Sequence, residues 1–152
     1  METIIATTGL ALMVGLSGIG SAIGLSLAGS SVLGMIKKKP EAFGNALVLS
    51  GLPATQGLYG FVAFILYSGD VKAGITMFHA AVIFGAGLAV GLVCLISAIQ
   101  QANVCASGIQ AIGGGHDAFG KTMILAAFPE FYAILSLVAA ILMKGLLSKI
   151  SP

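Results

Sequence analysis

The chain has 152 residues, of which 58% are hydrophobic and only 8% are charged, and its formal net charge is +2. A soluble domain carries about 25% charged residues, so this composition argues against a soluble enzyme and against a disordered chain. The small net charge argues against nucleic-acid binding, which depends on many phosphate contacts. Cys94 and Cys105 both fall in an apolar stretch, so no disulfide framework is expected. The composition therefore indicates an integral membrane protein.

Four long apolar runs predict four membrane-spanning helices, since about 20 mostly apolar residues cross a bilayer. They are Thr3–Ile36, Ala42–Gly69, Ala73–Gly115 and Thr122–Met143. Only the last run contains a charged residue, Glu130. The first and third runs exceed the bilayer thickness, so their helices are expected to tilt or to protrude. The first run lacks the basic start of a signal peptide and is expected to be retained.

Short polar loops join these runs and predict the orientation of the chain. The loop between the first two runs contains three adjacent lysines, Lys37–Lys39. By the positive-inside rule this loop is expected on the cytoplasmic side of the membrane. With an even number of spans, both termini and the loop at Asp70 are then expected on the opposite side.

The chain repeats itself with an ungapped offset of 76 residues, half its length. The repeat predicts two tandem helical hairpins, residues 1–76 and 77–152, that cross the membrane in the same direction. Such a parallel repeat differs from the inverted repeats of many transporters, and it suits a ring of hairpins. The matched segments include Ser21-Ala22-Ile23 with Ser97-Ala98-Ile99, Ala42-Phe43-Gly44 with Ala118-Phe119-Gly120, and Pro53 with Pro129.

Small residues recur at close intervals along the first and third predicted helices. Such residues let helix backbones approach closely, so the pattern predicts an inner layer built from these two helices. Generic membrane packing is an alternative explanation. The residues are Gly15, Gly20, Gly24 and Ala28 on the first helix, and Gly87, Gly91, Ala98, Ala102 and Ala106 on the third.

Glu130 is the most informative residue, because it lies near the middle of the fourth run. A charge at that depth costs at least ~2.5 kcal/mol, so an acidic residue there is a functional candidate. Its carboxyl group can hold a proton, or it can bind a metal cation together with other oxygen ligands. The structural alternative is a protonated acid that only forms hydrogen bonds between helices. Glu130 aligns with Ala54, so only the second hairpin carries the acid.

Polar side chains of the second and third runs are expected at the depth of Glu130. The prolines Pro53 and Pro129, which match in the repeat, each free a backbone carbonyl four residues earlier. A carboxylate accompanied by hydroxyl and amide oxygens suits a hard cation, so this set of side chains favours Na⁺ over H⁺ as the bound ion. The alternative is that these polar residues only form contacts between helices. The side chains are Thr55, Gln56 and Tyr59 on the second run, and Gln100 and Gln101 on the third.

At these residues the chain resembles the proteolipid, or rotor-ring, subunits of V-type ATPases, and more closely the bacterial sodium-translocating form, subunit K. The resemblance covers nearly the whole chain, and four spans with one acid per pair of hairpins is the V-type arrangement. The sequence departs from the family pattern at Ala54, where glycine is common in the family, and at Pro129. The specific segments are Leu52–Phe61, Ala98–Gln101, Ala106–Gln110 and Glu130–Leu135.

The resemblance implies an all-α membrane protein that assembles into a ring of identical subunits. The ring turns in membrane lipid against a stator subunit with an essential arginine, and it is joined to a central-stalk subunit. A bacterial cell membrane is the implied location, and no cofactor is expected apart from the transported ion. The implied Na⁺ ligands are Glu130, Gln101, Gln56, Thr55 and the backbone carbonyl of Leu52, with Tyr59 as the residue that bonds the carboxylate.

Two other interpretations of the residues remain open. A small four-helix secondary transporter could couple proton entry on Glu130 to export of a substrate, and a purely structural scaffold would need no ion at all. The parallel repeat argues against the transporter. No serine–histidine–acid or cysteine–histidine constellation supports catalysis, so no catalytic site is expected in this chain. The preferred interpretation is a rotor subunit that carries Na⁺, with H⁺ as the alternative ion.

Overall fold

The structure is a computed structural model that describes residues 1–149, and every regular element in that range is a helix. The α-helices are α1 (Glu2–Ile36), α2 (Phe43–Gly51), α3 (Thr55–Ser68), α4 (Met77–Gly113) and α5 (Phe119–Lys149). A one-turn 3₁₀ helix, Pro40–Ala42, precedes α2, and a second, Leu52–Ala54, joins α2 to α3.

Within residues 1–149, four helical segments are long and apolar enough to cross a membrane, which confirms the predicted fold class. The second of them runs from Pro40 to Ser68 and combines α2 with α3. Pro53 lies in the 3₁₀ turn between them, because proline has no N–H for an α-helical hydrogen bond. Pro129 lies inside α5, which continues through it.

Three helix ends in the second half of the chain differ from the predicted runs. The third helix begins at Met77 rather than near Ala73, because Thr76 caps it by accepting a hydrogen bond from the His79 N–H at 3.3 Å. The fourth begins at Phe119 and continues past the predicted end at Met143. Lys144 lies within this helix, because lysine is a favourable helix former, and its ammonium group forms an ion pair with Asp70.

The central contact of the fold is the packing of α1 against α4, and glycines permit it. A Cβ atom at Gly20 would lie 2.6 Å from the Cα of Leu95, and one at Gly87 would lie 2.7 Å from the carbonyl carbon of Gly9. Backbones this close leave no room for a side chain. Gly15, which the spacing placed on the same packed face, instead has no atom within 4 Å of its Cβ position.

The outer helices sit on this inner pair and enclose a polar layer. α3 packs against α1, α4 and α5, and α5 packs against α4. One apolar cluster, around Tyr67 and Ile83, lies towards the Asp70 end, and a second, around Leu49 and Ile109, lies towards the lysine loop. Buried polar side chains separate the two clusters, and they surround the acid of α5. These buried side chains are Gln56, Ser97 and Gln101.

Candidate cation-binding site

Glu130 lies half-buried on α5, directly after Pro129, and faces α3 and α4. Its Oε1 atom accepts a hydrogen bond from the hydroxyl of Tyr59 at 2.8 Å. Its Oε2 atom accepts one from Nε2 of Gln101 at 3.0 Å. Because each oxygen has its own donor, the two bonds fix the orientation of the carboxylate. A carboxylate has about four lone-pair positions, so it keeps capacity for a further partner.

Two fully buried glutamines connect α3 to α4 beside this carboxylate. Nε2 of Gln56 donates to Oε1 of Gln101 at 2.9 Å. Nε2 of Gln101 also donates to the carbonyl oxygen of Ala126 at 3.0 Å. Buried amides are costly unless they are hydrogen-bonded, and in the described residues every fully buried side-chain N or O atom has a partner. The pair therefore forms a satisfied polar layer.

The start of α3 brings a hydroxyl and a backbone carbonyl to the same layer. Oγ1 of Thr55 donates to the carbonyl oxygen of Leu52 at 3.0 Å and lies 3.3 Å from Oε1 of Gln56. This carbonyl belongs to the 3₁₀ turn that contains Pro53. All six residues that the resemblance implied therefore belong to one continuous hydrogen-bonded network, which extends from Leu52 to Glu130.

Gln100 does not join this network, although it precedes Gln101. Successive helical residues point about 100° apart, so only one of the two can face the acid. The side chain of Gln100 is exposed and lines a groove between α4 and α5.

Ser97 also belongs to the polar layer, although it was not among the residues predicted from sequence. Its Oγ atom donates to the carbonyl oxygen of Pro129 at 2.8 Å and accepts from Nε2 of Gln56 at 3.2 Å. Ser97 precedes Gln101 by one helical turn, so the two share a face of α4. The one-turn spacing from Gln101 and the match of Ser97 to Ser21 in the repeat are the sequence features that could have identified Ser97 as a member of the layer.

The chemistry of the layer suits a monovalent hard cation. Within residues 1–149 no group of three His, Cys, Asp or Glu side chains could hold a metal ion. The single carboxylate is accompanied by hydroxyl, amide and carbonyl oxygens, which are the donors that hard cations prefer. One carboxylate neutralises one positive charge, so occupation by a monovalent cation or by a proton would leave the layer uncharged.

Comparison with known proteins finds one family pattern in both halves of the chain. The family model for the C subunit of ATP synthase matches residues 8–67 and again residues 84–143. The starts of the two matches are 76 residues apart, and so are their ends. This separation equals the offset of the internal repeat.

The individual relatives are subunits of an A-type ATP synthase and of V-type ATPases. The chain is 40% identical over 140 residues to the A-type ATP synthase subunit K of Methanocaldococcus jannaschii, and the aligned region covers 92% of this chain and 61% of that relative. It is 39% identical over 127 residues to the V-type sodium ATPase subunit K of Enterococcus hirae, covering 84% of this chain and 81% of that relative. It is 23% identical over 128 residues to the 16 kDa proteolipid of the V-type proton ATPase of Rattus norvegicus, covering 84% of this chain and 83% of that relative. The chain thus spans less than two thirds of the Methanocaldococcus protein.

Proposed function

The chain belongs to the family of ATP synthase C subunits, and on that premise we propose that it is the rotor-ring subunit of a V-type or A-type ATPase and carries Na⁺ on Glu130. As a member of that family it is a non-catalytic membrane subunit. ATP chemistry therefore belongs to other subunits of the complex. The chain's task is to bind an ion, to carry it through the membrane as the ring turns, and to release it.

One observation carries the proposal: the acid in the middle of the fourth span is held by donors from two other helices, inside a layer of groups that carry oxygen atoms. Tyr59 on α3 and Gln101 on α4 fix its carboxylate. Thr55, Gln56 and the Leu52 carbonyl extend the layer. A carrier of H⁺ alone needs only the carboxyl group, whereas a cation needs several oxygens. The higher similarity to the sodium ATPase subunit, compared with the proton ATPase proteolipid, supports Na⁺ as well.

The position of Glu130 suits a carrier that faces lipid while it moves. It is half-buried, and its neighbours on the outer surface, Phe128 and Phe131, are exposed and apolar. A neutral ion–carboxylate pair can cross this environment, whereas a bare carboxylate carries a large energetic penalty there. Release therefore requires a competing positive charge or access to water. An arginine on a stator subunit, together with water-filled paths on each side of the membrane, would supply these conditions.

The same proposal includes an orientation and a set of partners. The Lys37–Lys39 loop lies on the cytoplasmic side, following the positive-inside rule. It contacts the central stalk there, while identical subunits and lipid surround the spans. The tandem match to one family favours this rotor over a four-helix secondary transporter.

Carbodiimide labelling of the purified assembly, followed by mass mapping, tests the proposal. Carbodiimides react with protonated carboxyl groups in apolar surroundings, so a bound cation blocks the reaction. We expect labelling at Glu130 that Na⁺ suppresses, with more Na⁺ needed at lower pH. Labelling that depends on pH but ignores Na⁺ would assign H⁺ as the transported ion, and Thr55, Gln56 and Gln101 would lose their role as ligands. Absence of labelling at every pH would contradict the carrier role itself.

A further inference from the structure

An open pocket lies at the Asp70 end of the helices, between the loop that joins α3 to α4 and the last turns of α5. Its volume is about 630 Å³. Three of its described lining side chains can carry a positive charge, whereas only Asp70 among them can carry a negative one. The three basic side chains are Lys72, His79 and Lys144.

The charges of this pocket are only partly neutralised inside the chain. The ammonium group of Lys144 forms an ion pair with Asp70, and it also donates to the carbonyl oxygen of Leu66. The ammonium group of Lys72 is exposed and has no hydrogen bond or ion pair with any residue that the structure describes. When histidine is counted as neutral, the pocket therefore keeps a net charge of one positive unit, which a singly charged anion would balance.

The depth of the pocket is that of lipid headgroups. The fourth membrane-length segment runs from Phe119 to Leu147, so its middle residue is Ala133. Lys144 follows Ala133 by eleven residues of α5, which is about 16 Å along a helix that rises 1.5 Å per residue. The hydrocarbon core of a bilayer extends about 15 Å from its midplane, and headgroups occupy roughly the next 5–7 Å. Lys144 therefore lies at the level of lipid phosphate groups.

Apolar side chains lead from the pocket towards the middle of the bilayer. Ile141 lines the pocket and is also exposed on the outside of α5. Ile134 and Val138 are exposed as well, and they precede Ile141 by seven and three residues, so the three share one face of the helix. An acyl chain can lie along this face while the phosphate group of the same lipid stays in the pocket.

From this arrangement we propose that the pocket binds the phosphate group of an anionic phospholipid, whose acyl chain lies along the exposed face of α5. The ammonium groups of Lys72 and Lys144 attract the phosphate, as basic side chains near a membrane surface attract anionic lipids. Asp70 opposes this attraction, because it neutralises Lys144. The proposal requires that the chain spans a membrane, but it requires neither an ion on Glu130 nor a turning ring.

Quenching of a single tryptophan by brominated lipid tests the site, because the chain has no tryptophan of its own. Val138→Trp places the reporter on the exposed face of α5, and Val48→Trp is the matched control at an exposed position of α2. Each variant assembly is reconstituted in vesicles of phosphatidylcholine and phosphatidylglycerol, in which one or the other lipid carries bromine atoms on its acyl chains. The difference in quenching between the two brominated lipids gives the local preference for the anionic lipid.

We expect a local preference for phosphatidylglycerol of about fivefold at position 138, the factor that one lysine contributes beside anionic lipid. Lys72→Gln is expected to remove this preference, because it removes the charge that has no partner in the chain. Asp70→Asn is expected to raise the preference by a similar factor, because it frees Lys144 from its ion pair. Neither change is expected to alter quenching at position 48.

Equal quenching by the two lipids at position 138, or a preference that persists in Lys72→Gln, would overturn the site. A preference that Lys72→Gln lowers equally at position 48 would also overturn it, since that result reflects the overall charge of the assembly. Inorganic phosphate is compared with chloride at equal ionic strength, and a preference that phosphate alone abolishes would assign the pocket to a free anion instead of a lipid. Leu142→Trp, at another exposed position of α5, is the second reporter if Val138→Trp does not assemble.

Discussion

Replacing Tyr59 with phenylalanine tests the link between hydrogen bonding and ion binding. The change removes one hydroxyl, which donates to Oε1 of Glu130 at 2.8 Å, and it preserves the ring. A hydrogen bond to a charged group contributes about 1.5–3 kcal/mol. Because Tyr59 is only half-buried, we take the lower end of that range. Each 1.4 kcal/mol is roughly a factor of ten in an equilibrium constant, so Tyr59→Phe is expected to weaken Na⁺ binding about tenfold.

The assay is the Na⁺ concentration that halves carbodiimide labelling of Glu130 at fixed pH. Loss of the donor removes one of the two hydrogen bonds that hold the carboxylate, so more Na⁺ is needed for the same protection. Tyr132→Phe is the matched control, because Tyr132 lies on the exposed face of α5. An unchanged midpoint in Tyr59→Phe, or an equal shift in both variants, would refute the role given to the Tyr59 bond.

Three further changes have defined outcomes. Ser97→Ala removes a donor to a backbone carbonyl and an acceptor for a buried amide. We predict a loss of about 1 kcal/mol in the free energy of unfolding and a several-fold weaker protection of Glu130 from carbodiimide by Na⁺. Unchanged protection would remove Ser97 from the site. Gly87→Ala forces a Cβ atom against the backbone of Gly9 on α1, so it is expected to lower the free energy of unfolding by about 1–3 kcal/mol. Thermal unfolding in detergent measures this loss. The control Gly44→Ala has open space around the new Cβ atom and is expected to leave stability unchanged. Asp70→Asn breaks a partly exposed ion pair with Lys144. It is predicted to lower the free energy of unfolding by at most about 1 kcal/mol, and by less at high salt. A loss of stability that does not depend on salt would contradict an ionic contribution.

Hydropathy alone was sufficient to predict the four spans, because a bilayer admits few charges and long apolar helices, and it made Glu130 a functional candidate. It could not predict the helix ends. The start of α4 depends on the Thr76 cap. α5 continues through Lys144 because a charged residue ends an apolar run without ending a helix, and lysine is a favourable helix former. The length of an apolar run therefore does not determine where either helix begins or ends.

The members of the polar layer were predictable only in part. Gln101 could be separated from Gln100 by the resemblance, whereas polarity and spacing left both open. Ser97 was missed because a serine in an apolar helix usually bonds to its own backbone, as Ser26 does. Its actual partner is the Pro129 carbonyl on α5.

The packing of α1 was also predictable only in part. Spacing assigned Gly15 to the inner contact with α4, but the way the two helices cross selects other glycines, among them Gly9. A crossing angle depends on both helices together, so the spacing of small residues on one of them does not determine which positions meet.

Equilibrium binding of radioactive Na⁺ to the purified assembly tests the central claim most directly. We predict saturable binding of one Na⁺ per chain that protons displace, since each chain has a single acid near the middle of a span. Glu130→Gln is predicted to abolish this binding while the assembly stays intact, because it keeps the size of the side chain and removes only the charge. Saturable binding that survives in Glu130→Gln, or two ions per chain, would contradict the claim that Glu130 is the carrier.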